Sequence, residues 1–224
     1  MVDFMTDLSV VYDNWRYLGG GLLVTVCLWV SAVVLVTISG ILLAVARTYG
    51  PPWLVRIVAF YVDTMRSTPL LVIMVLAYFA LPLAVGVTIP AFPAALLALT
   101  LEASAYACEI ARAGISSIRA GQMSAGLALG MSKAQIIRKV ILPQALIRVL
   151  PPYGTLVAGI GKNTAVASVI AVPDFLQQST VLSSQTFQPT EIFTSALVIY
   201  FILIFPVTRM IDLLYRKVER LGRS

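Results

Sequence analysis

Five apolar runs separated by short polar or proline-rich breaks set the pattern of this chain. The first, from about Leu18 to Ala46, contains no charged residue and predicts a membrane-spanning helix. Gly50-Pro51-Pro52 ends it, because proline has no N–H to continue a helix. Trp53 to Met65 mixes Arg56 and Asp63 with Phe60 and Tyr61, the pattern of an interfacial helix anchored by Trp53. A second run, about Pro69 to Ala84, is short for a span unless its helix begins before Arg66. Pro82, Pro90 and Pro93 punctuate a short connection. The third run, about Ala91 to Ile118, carries Glu102 and Glu109 and closes near Arg112. The fourth starts near Pro143, is expected to bend or break at Pro151-Pro152, and leads through Lys162-Asn163-Thr164 into Ala165 to Val172. Pro173 to Pro189 is a polar segment rich in Gln, Ser and Thr. The fifth run, about Thr190 to Leu214, is expected to kink at Pro206, and a basic tail, Arg216 to Ser224, follows.

Composition makes this an all-α membrane protein. Apolar residues are 59% of the 224 residues and charged ones 12%, against ~25% in soluble domains. Mean hydropathy is +0.93. The net charge of +6 therefore bears on topology and on lipid headgroups, and no basic segment interleaved with aromatics points to nucleic acid. Arg47, Arg56, Arg66, Arg112, Arg119, Lys133, Arg138, Lys139, Arg148, Arg216, Lys217, Arg220 and Arg223 all fall on one side of a five-helix threading, and Arg16 on the other. Positive charge prefers the cytoplasm, which predicts five transmembrane helices with N-out/C-in orientation. The odd number of spans argues against an inverted-repeat transporter. Asp3, Asp7 and Asp13 near the start, and the length of the first run, argue against a cleavable signal peptide. Cys27 and Cys108 each sit in an apolar run and read as small core residues. The chain has no histidine, which removes most zinc sites and His-based catalysis.

Gly121 to Pro143, GQMSAGLALGMSKAQIIRKVILP, is the longest break between the runs. It holds Lys133, Arg138 and Lys139 and is interrupted at Gly126 and Gly130. Ser124-Ala125-Gly126, then Gly130, then Val140-Ile141-Leu142-Pro143 resemble the cytoplasmic signature loop of membrane subunits of binding-protein-dependent ABC importers: Glu-Ala-Ala, a spaced glycine, and a closing Ile-x-Leu-Pro. The flanks resemble the polar amino acid permease branch (histidine, glutamine, arginine, glutamate). They are Ala105-Tyr106, Glu109-Ile110, Arg112 to Ile115, Gly121-Gln122, Leu142 to Ala145, Arg66-x-Thr68-Pro69-Leu70-Leu71, and Lys162-Asn163-Thr164 with Ala167 to Ile170. The likeness covers about residues 15–220. Ser124 stands where glutamate is usual and Gly126 where alanine is usual.

The resemblance implies a single transmembrane permease domain, residues 1–224, with the type I ABC importer (MetI-like) fold and a coupling loop over about 119–142. It implies that Gly121, Gln122, Ser124, Ala125, Gly126, Gly130 and Lys133 form a short helix and turn that dock on an ATPase, with the small residues allowing close approach. Gly159-Ile160-Gly161-Lys162-Asn163-Thr164 is no phosphate-binding loop, since Leu156 and Asn163 stand where Gly and Ser or Thr are needed. The chain is thus expected to carry no cofactor and no catalytic residue, with ATP and Mg bound by the partner ATPase. Implied partners are two ATPase subunits, a second permease subunit (identical or paralogous), an extracytoplasmic solute-binding protein, an amino acid substrate and membrane lipid. The implied location is the bacterial cytoplasmic (inner) membrane.

Among single residues Glu102 stands out. It lies about 17 Å along its helix, near mid-bilayer, where a carboxylate faces a partner or a water-filled path. It either meets the cationic group of a polar or charged amino acid, or is a structural acid, paired with Lys162 or protonated in the interior. Arg66 either snorkels or holds a substrate carboxylate. Lys162 and Asn163 belong to a cavity wall or outer gate, or to an interhelical bridge. Asp174 caps or gates the polar segment, and Glu109 with Arg112 reads as an i,i+3 ion pair. The rival reading of the whole chain is a secondary transporter or channel for small polar solutes. A membrane enzyme would need a catalytic constellation that is missing here.

Overall fold

A computed structural model describes residues 9–118 and 120–221. Asp3, Asp7, Arg119 and Arg223 lie outside the described residues. Every regular element among the described residues is helical: α1 (Ser9–Asp13), α2 (Trp15–Tyr49), α3 (Pro52–Ser67), α4 (Leu70–Val85), α5 (Ala91–Ser116), α6 (Ala120–Ala128), α7 (Lys133–Ile170), α8 (Phe175–Thr186) and α9 (Pro189–Leu221). Helices α2, α5, α7 and α9 are each long and apolar enough to cross a membrane alone. Helices α3 and α4 meet at 106° across a short break, and taken as one bent pair they make a fifth candidate span.

That bend separates the expected interfacial helix, α3, from α4. Thr68 is extended, at φ −106° and ψ 130°, as the residue before Pro69 must be. The preceding α3 turns Val58 and Val62 into a cluster with Ala44, Ala105 and Cys108, while Trp53, Ile57 and Phe60 remain on its outer face. It packs one face on the bundle and leaves the other outward.

Small residues bring α2 and α5 together. Ala32, Ala94, Ala95, Ala98, Ala103 and Ala107 are buried, and Gly40 lies against Ala107, so the two backbones approach closely where lipid offers no hydrophobic drive. The indole N–H of Trp29 donates to the carbonyl of Val157 at 2.8 Å and ties α2 to α7. One and two turns earlier on α2, the backbone N–H of Phe175 donates to Thr25 Oγ1 at 3.0 Å, and that of Gly21 donates to Gln178 Oε1 at 2.9 Å. These bonds hold α8 on α2.

Prolines shape the spans differently from expectation. Wide π-helical turns occupy Leu76–Ala80 and Ile137–Ile141, each just ahead of a proline, Pro82 or Pro143. Each carries the helix into a residue that has no N–H to give. With that turn, α7 begins at Lys133, so the fourth span reaches back into the expected coupling loop instead of starting near Pro143. Pro151 and Pro152 lie inside an unbroken helix, as does Pro206 in α9.

Candidate functional site

The face of α5 that carries Glu102, Tyr106 and Ile110 looks across a cleft at Pro152, Thr155, Leu156, Gly159, Ile160 and Asn163 of α7. Its volume is about 320 Å³. A second hollow of about 380 Å³ is lined by Glu109, Ile110, Ala113, Gly114, Ser117, Arg148 and Pro152. Ile110 and Pro152 belong to both, so one groove follows the α5–α7 seam from Asn163 towards α6.

Helical spacing builds this groove. Glu102, Tyr106 and Ile110 recur every four residues on α5, and Pro152, Thr155, Gly159 and Asn163 every three or four on α7. Gly159 leaves the opposite wall open, with no atom within 4 Å of where a β-carbon would stand. Glu102 is half-buried, and among the described residues it is in no ion pair. Asn163 shares its cleft. Lys162 does not: it is exposed and lines a separate hollow of about 600 Å³ with Leu176 of α8 and Phe193, Tyr200 and Phe201 of α9.

Arg66 reaches the groove through an intermediary. Its guanidinium stacks over the Tyr106 ring, 5.4 Å from the centroid, and the Tyr106 hydroxyl donates to the Arg66 carbonyl at 3.4 Å. The α3–α4 bend is thereby fastened to the residue one turn from Glu102. Sequence spacing singled out both charged residues but not the aromatic ring between them.

Glu109 bridges two helices. It accepts from Arg47 at the end of α2 and from Arg112 Nη2 at 2.9 Å. The i,i+3 pair was legible in the sequence; Arg47, 62 residues away, was not. Asp174 caps α8, its Oδ1 accepting from the Gln177 N–H at 2.8 Å. It has no solvent exposure, and burial pushes its carboxyl up to about 6.

The coupling segment folds as α6, a turn, and the start of α7. Gly130 adopts φ +75°, which only glycine takes readily, and Ser132 and Gln135 form a capping box that starts α7 at Lys133. Gly121, Ser124, Ala125 and Gly130 are exposed, as is Lys133. The small residues do not all face outward, however. Gly126 is buried against Ile136, and Gln122 pairs with Gln144 of α7. Gly126, expected to admit a partner surface, lies against the chain's own α7.

Residues 36–220 match the family model described as "binding-protein-dependent transport system inner membrane component". The chain is similar to the glutamine transport system permease protein GlnP of Escherichia coli (strain K12), 36% identical over 197 residues, 86% of this chain and 88% of that protein. It is similar to the L-cystine transport system permease protein TcyB of Bacillus subtilis (strain 168), 32% identical over 207 residues, 92% of this chain and 88% of that one. Among solved structures, an amino acid ABC transporter "with histidines" superposes with a TM-score of 0.88 at 31% identity, covering 96% of this chain and 100% of that chain. A MetNI methionine ABC transporter chain gives 0.75 at 22% identity over 92% and 98%, a likeness of fold.

Proposed function

The chain belongs to the family of binding-protein-dependent transport system inner membrane components, as a multi-pass permease component of an amino acid ABC importer, and we propose that it forms one half of a translocation path for a polar or charged amino acid. The observation that carries this reading is the α5–α7 groove, with Glu102 and Asn163 at one end and α6 beyond the other. A carboxylate on one wall and an amide on the other suit the ammonium and carboxylate of an amino acid, or a polar side chain. The groove is open along one side, so a second permease subunit, identical or paralogous, completes it.

In this reading Glu102 and Asn163 line the path. Arg66 sets the Tyr106 ring against it, and Lys162 serves a separate hollow beside α9. A solute-binding protein delivers substrate at the Asp174 end. Two ATPase subunits, which bind ATP and Mg, serve the permease pair, and one of them docks on the exposed face of this chain's α6, made by Gly121, Ser124 and Ala125, and on Gly130 and Lys133. The charge pattern puts α6 in the cytoplasm and the N-terminus outside.

The test is reconstitution. Co-purified with its ATPase and placed in liposomes with the solute-binding protein, the complex takes up amino acid only when ATP is hydrolysed. Uptake by this chain alone, driven by an ion gradient, would overturn the proposal.

A further inference from the structure

Helix α6 touches α7 at two places, and they differ in kind. Gly126 rests on Ile136, an apolar contact between smooth surfaces. One turn earlier, on the same face, Gln122 Nε2 donates to Gln144 Oε1 at 3.1 Å and Gln144 Nε2 donates to Gln122 Oε1 at 2.8 Å. The two amides close a reciprocal pair in a half-buried setting, and among the described residues no other side-chain hydrogen bond joins the two helices. An apolar contact can slide or roll. A reciprocal amide pair cannot shift far without losing both bonds together.

The place of Gln144 on α7 gives the pair its consequence. Gln144, Arg148, Pro152, Thr155, Gly159 and Asn163 follow one another at three- and four-residue steps, a single stripe of the helix. The stripe begins at the amide pair and ends at the groove wall facing Glu102. Arg148, one turn along from Gln144 on the same stripe, donates to the carbonyl of Ser117 just past the end of α5 and ties the two walls together at this level. A force on Gln144 therefore acts on the groove-lining side of α7.

We infer that the Gln122–Gln144 amide pair is the tie that passes displacement of α6 to the α7 wall of the groove, with Gly126 on Ile136 as its pivot. Gln122 is thus a positioning residue that acts inward on α7, and it is no contact for a partner. Being uncharged, the tie works independently of salt and of pH. The inference rests on the reading that α6 docks on an ATPase.

The experiment uses the complete importer, with ATPase subunits and solute-binding protein in liposomes, and reads amino acid imported per ATP hydrolysed. Gln122→Leu and Gln144→Leu are each expected to lower that ratio at least about fivefold, the lower end of ordinary site-to-site coupling. Combining Gln122→Glu with Gln144→Lys replaces the amide pair by an ion pair and is expected to restore the ratio, which Gln122→Glu alone does not. A wild-type ratio in both leucine variants overturns the inference. So does loss of the ATPase subunits on purification from Gln122→Leu but not from Gln144→Leu, since Gln122 would then be a docking contact. A wild-type complex that imports without hydrolysing ATP instead refutes the reading beneath it.

Discussion

The β-carbon that an alanine would carry at position 126 falls 2.6 Å from Cγ1 of Ile136, a side chain with no solvent exposure. In a free helix alanine is better than glycine by about 1 kcal/mol. Here the added methyl overpacks a filled contact, at a cost of about 1–3 kcal/mol, and the clash outweighs the propensity. Gly126→Ala is therefore expected to lower the melting temperature of the detergent-solubilised protein by a few degrees, at about 2–4 °C per kcal/mol for a chain of this size. In an Ile136→Ala background the same change is expected to be neutral or stabilising, because the methyl then fills space. Thermal unfolding of the four-member cycle checks this, and equal effects of Gly126→Ala in both backgrounds would contradict the contact.

Glu102 has an amide and an aromatic ring for company in its cleft and no cationic side chain paired to it. A carboxylate left without a counter-charge at that depth suits a cation that comes and goes. Glu102→Gln keeps the shape and removes the charge. A charged hydrogen bond is worth about 1.5–3 kcal/mol, so the half-saturating amino acid concentration for ATP-driven uptake is expected to rise about tenfold or more. An uptake curve indistinguishable from wild type would assign Glu102 to structure alone.

Much of the fold was legible because bilayer thickness imposes its own length on apolar runs. The runs beginning near Leu18, Ala91 and Thr190 each lie within one helix. The break between α3 and α4 falls within Arg66 to Pro69, where the sequence changes character, but the 106° angle across it was not legible. The prolines misled for a related reason. Ring positions are visible in sequence, but the π turns ahead of Pro82 and Pro143 are not, and Pro151-Pro152 proved compatible with a continuous helix. At the site, depth within an apolar run marked Glu102 as a candidate, and the family resemblance marked the coupling segment. Pairings across long separations, such as Gln122 with Gln144 or Arg47 with Glu109, depend on how helices dock and leave no local signal.

The Arg47–Glu109–Arg112 cluster joins the end of α2 to α5, and the side chains of Arg47 and Glu109 are only 18% and 19% exposed. An exposed pair contributes up to about 1 kcal/mol, whereas breaking a buried pair costs about 3–5 kcal/mol. This cluster lies between those limits. Glu109→Ala, which leaves two arginines facing each other, is expected to destabilise by about 2 kcal/mol, some 4–8 °C in melting temperature. The charge swap Arg47→Glu with Glu109→Arg is expected to recover only part, because Arg112 then faces a cation. Melting curves of the single and double variants test both statements; full recovery by the swap would show that Arg112 takes no part.

Asp174 makes stability depend on pH in the direction opposite to a usual aspartate. Burial raises its folded-state pKa from the ordinary 3.8 to about 6 despite the cap bond to Gln177. Between those values the folded protein holds a proton that the unfolded chain has released, so stability falls as pH rises from about 4 to about 6 and is level above. Two units at about 1.4 kcal/mol each give a loss of up to about 3 kcal/mol across that window. Asp174→Asn keeps an oxygen to cap α8 and carries no charge at any pH. It is expected to flatten the dependence and to match or exceed the wild-type melting temperature at pH 7. Melting measured from pH 4 to pH 8 decides it: a wild-type curve that rises through this window, or an Asp174→Asn curve that keeps the wild-type slope, would move the titration to another group.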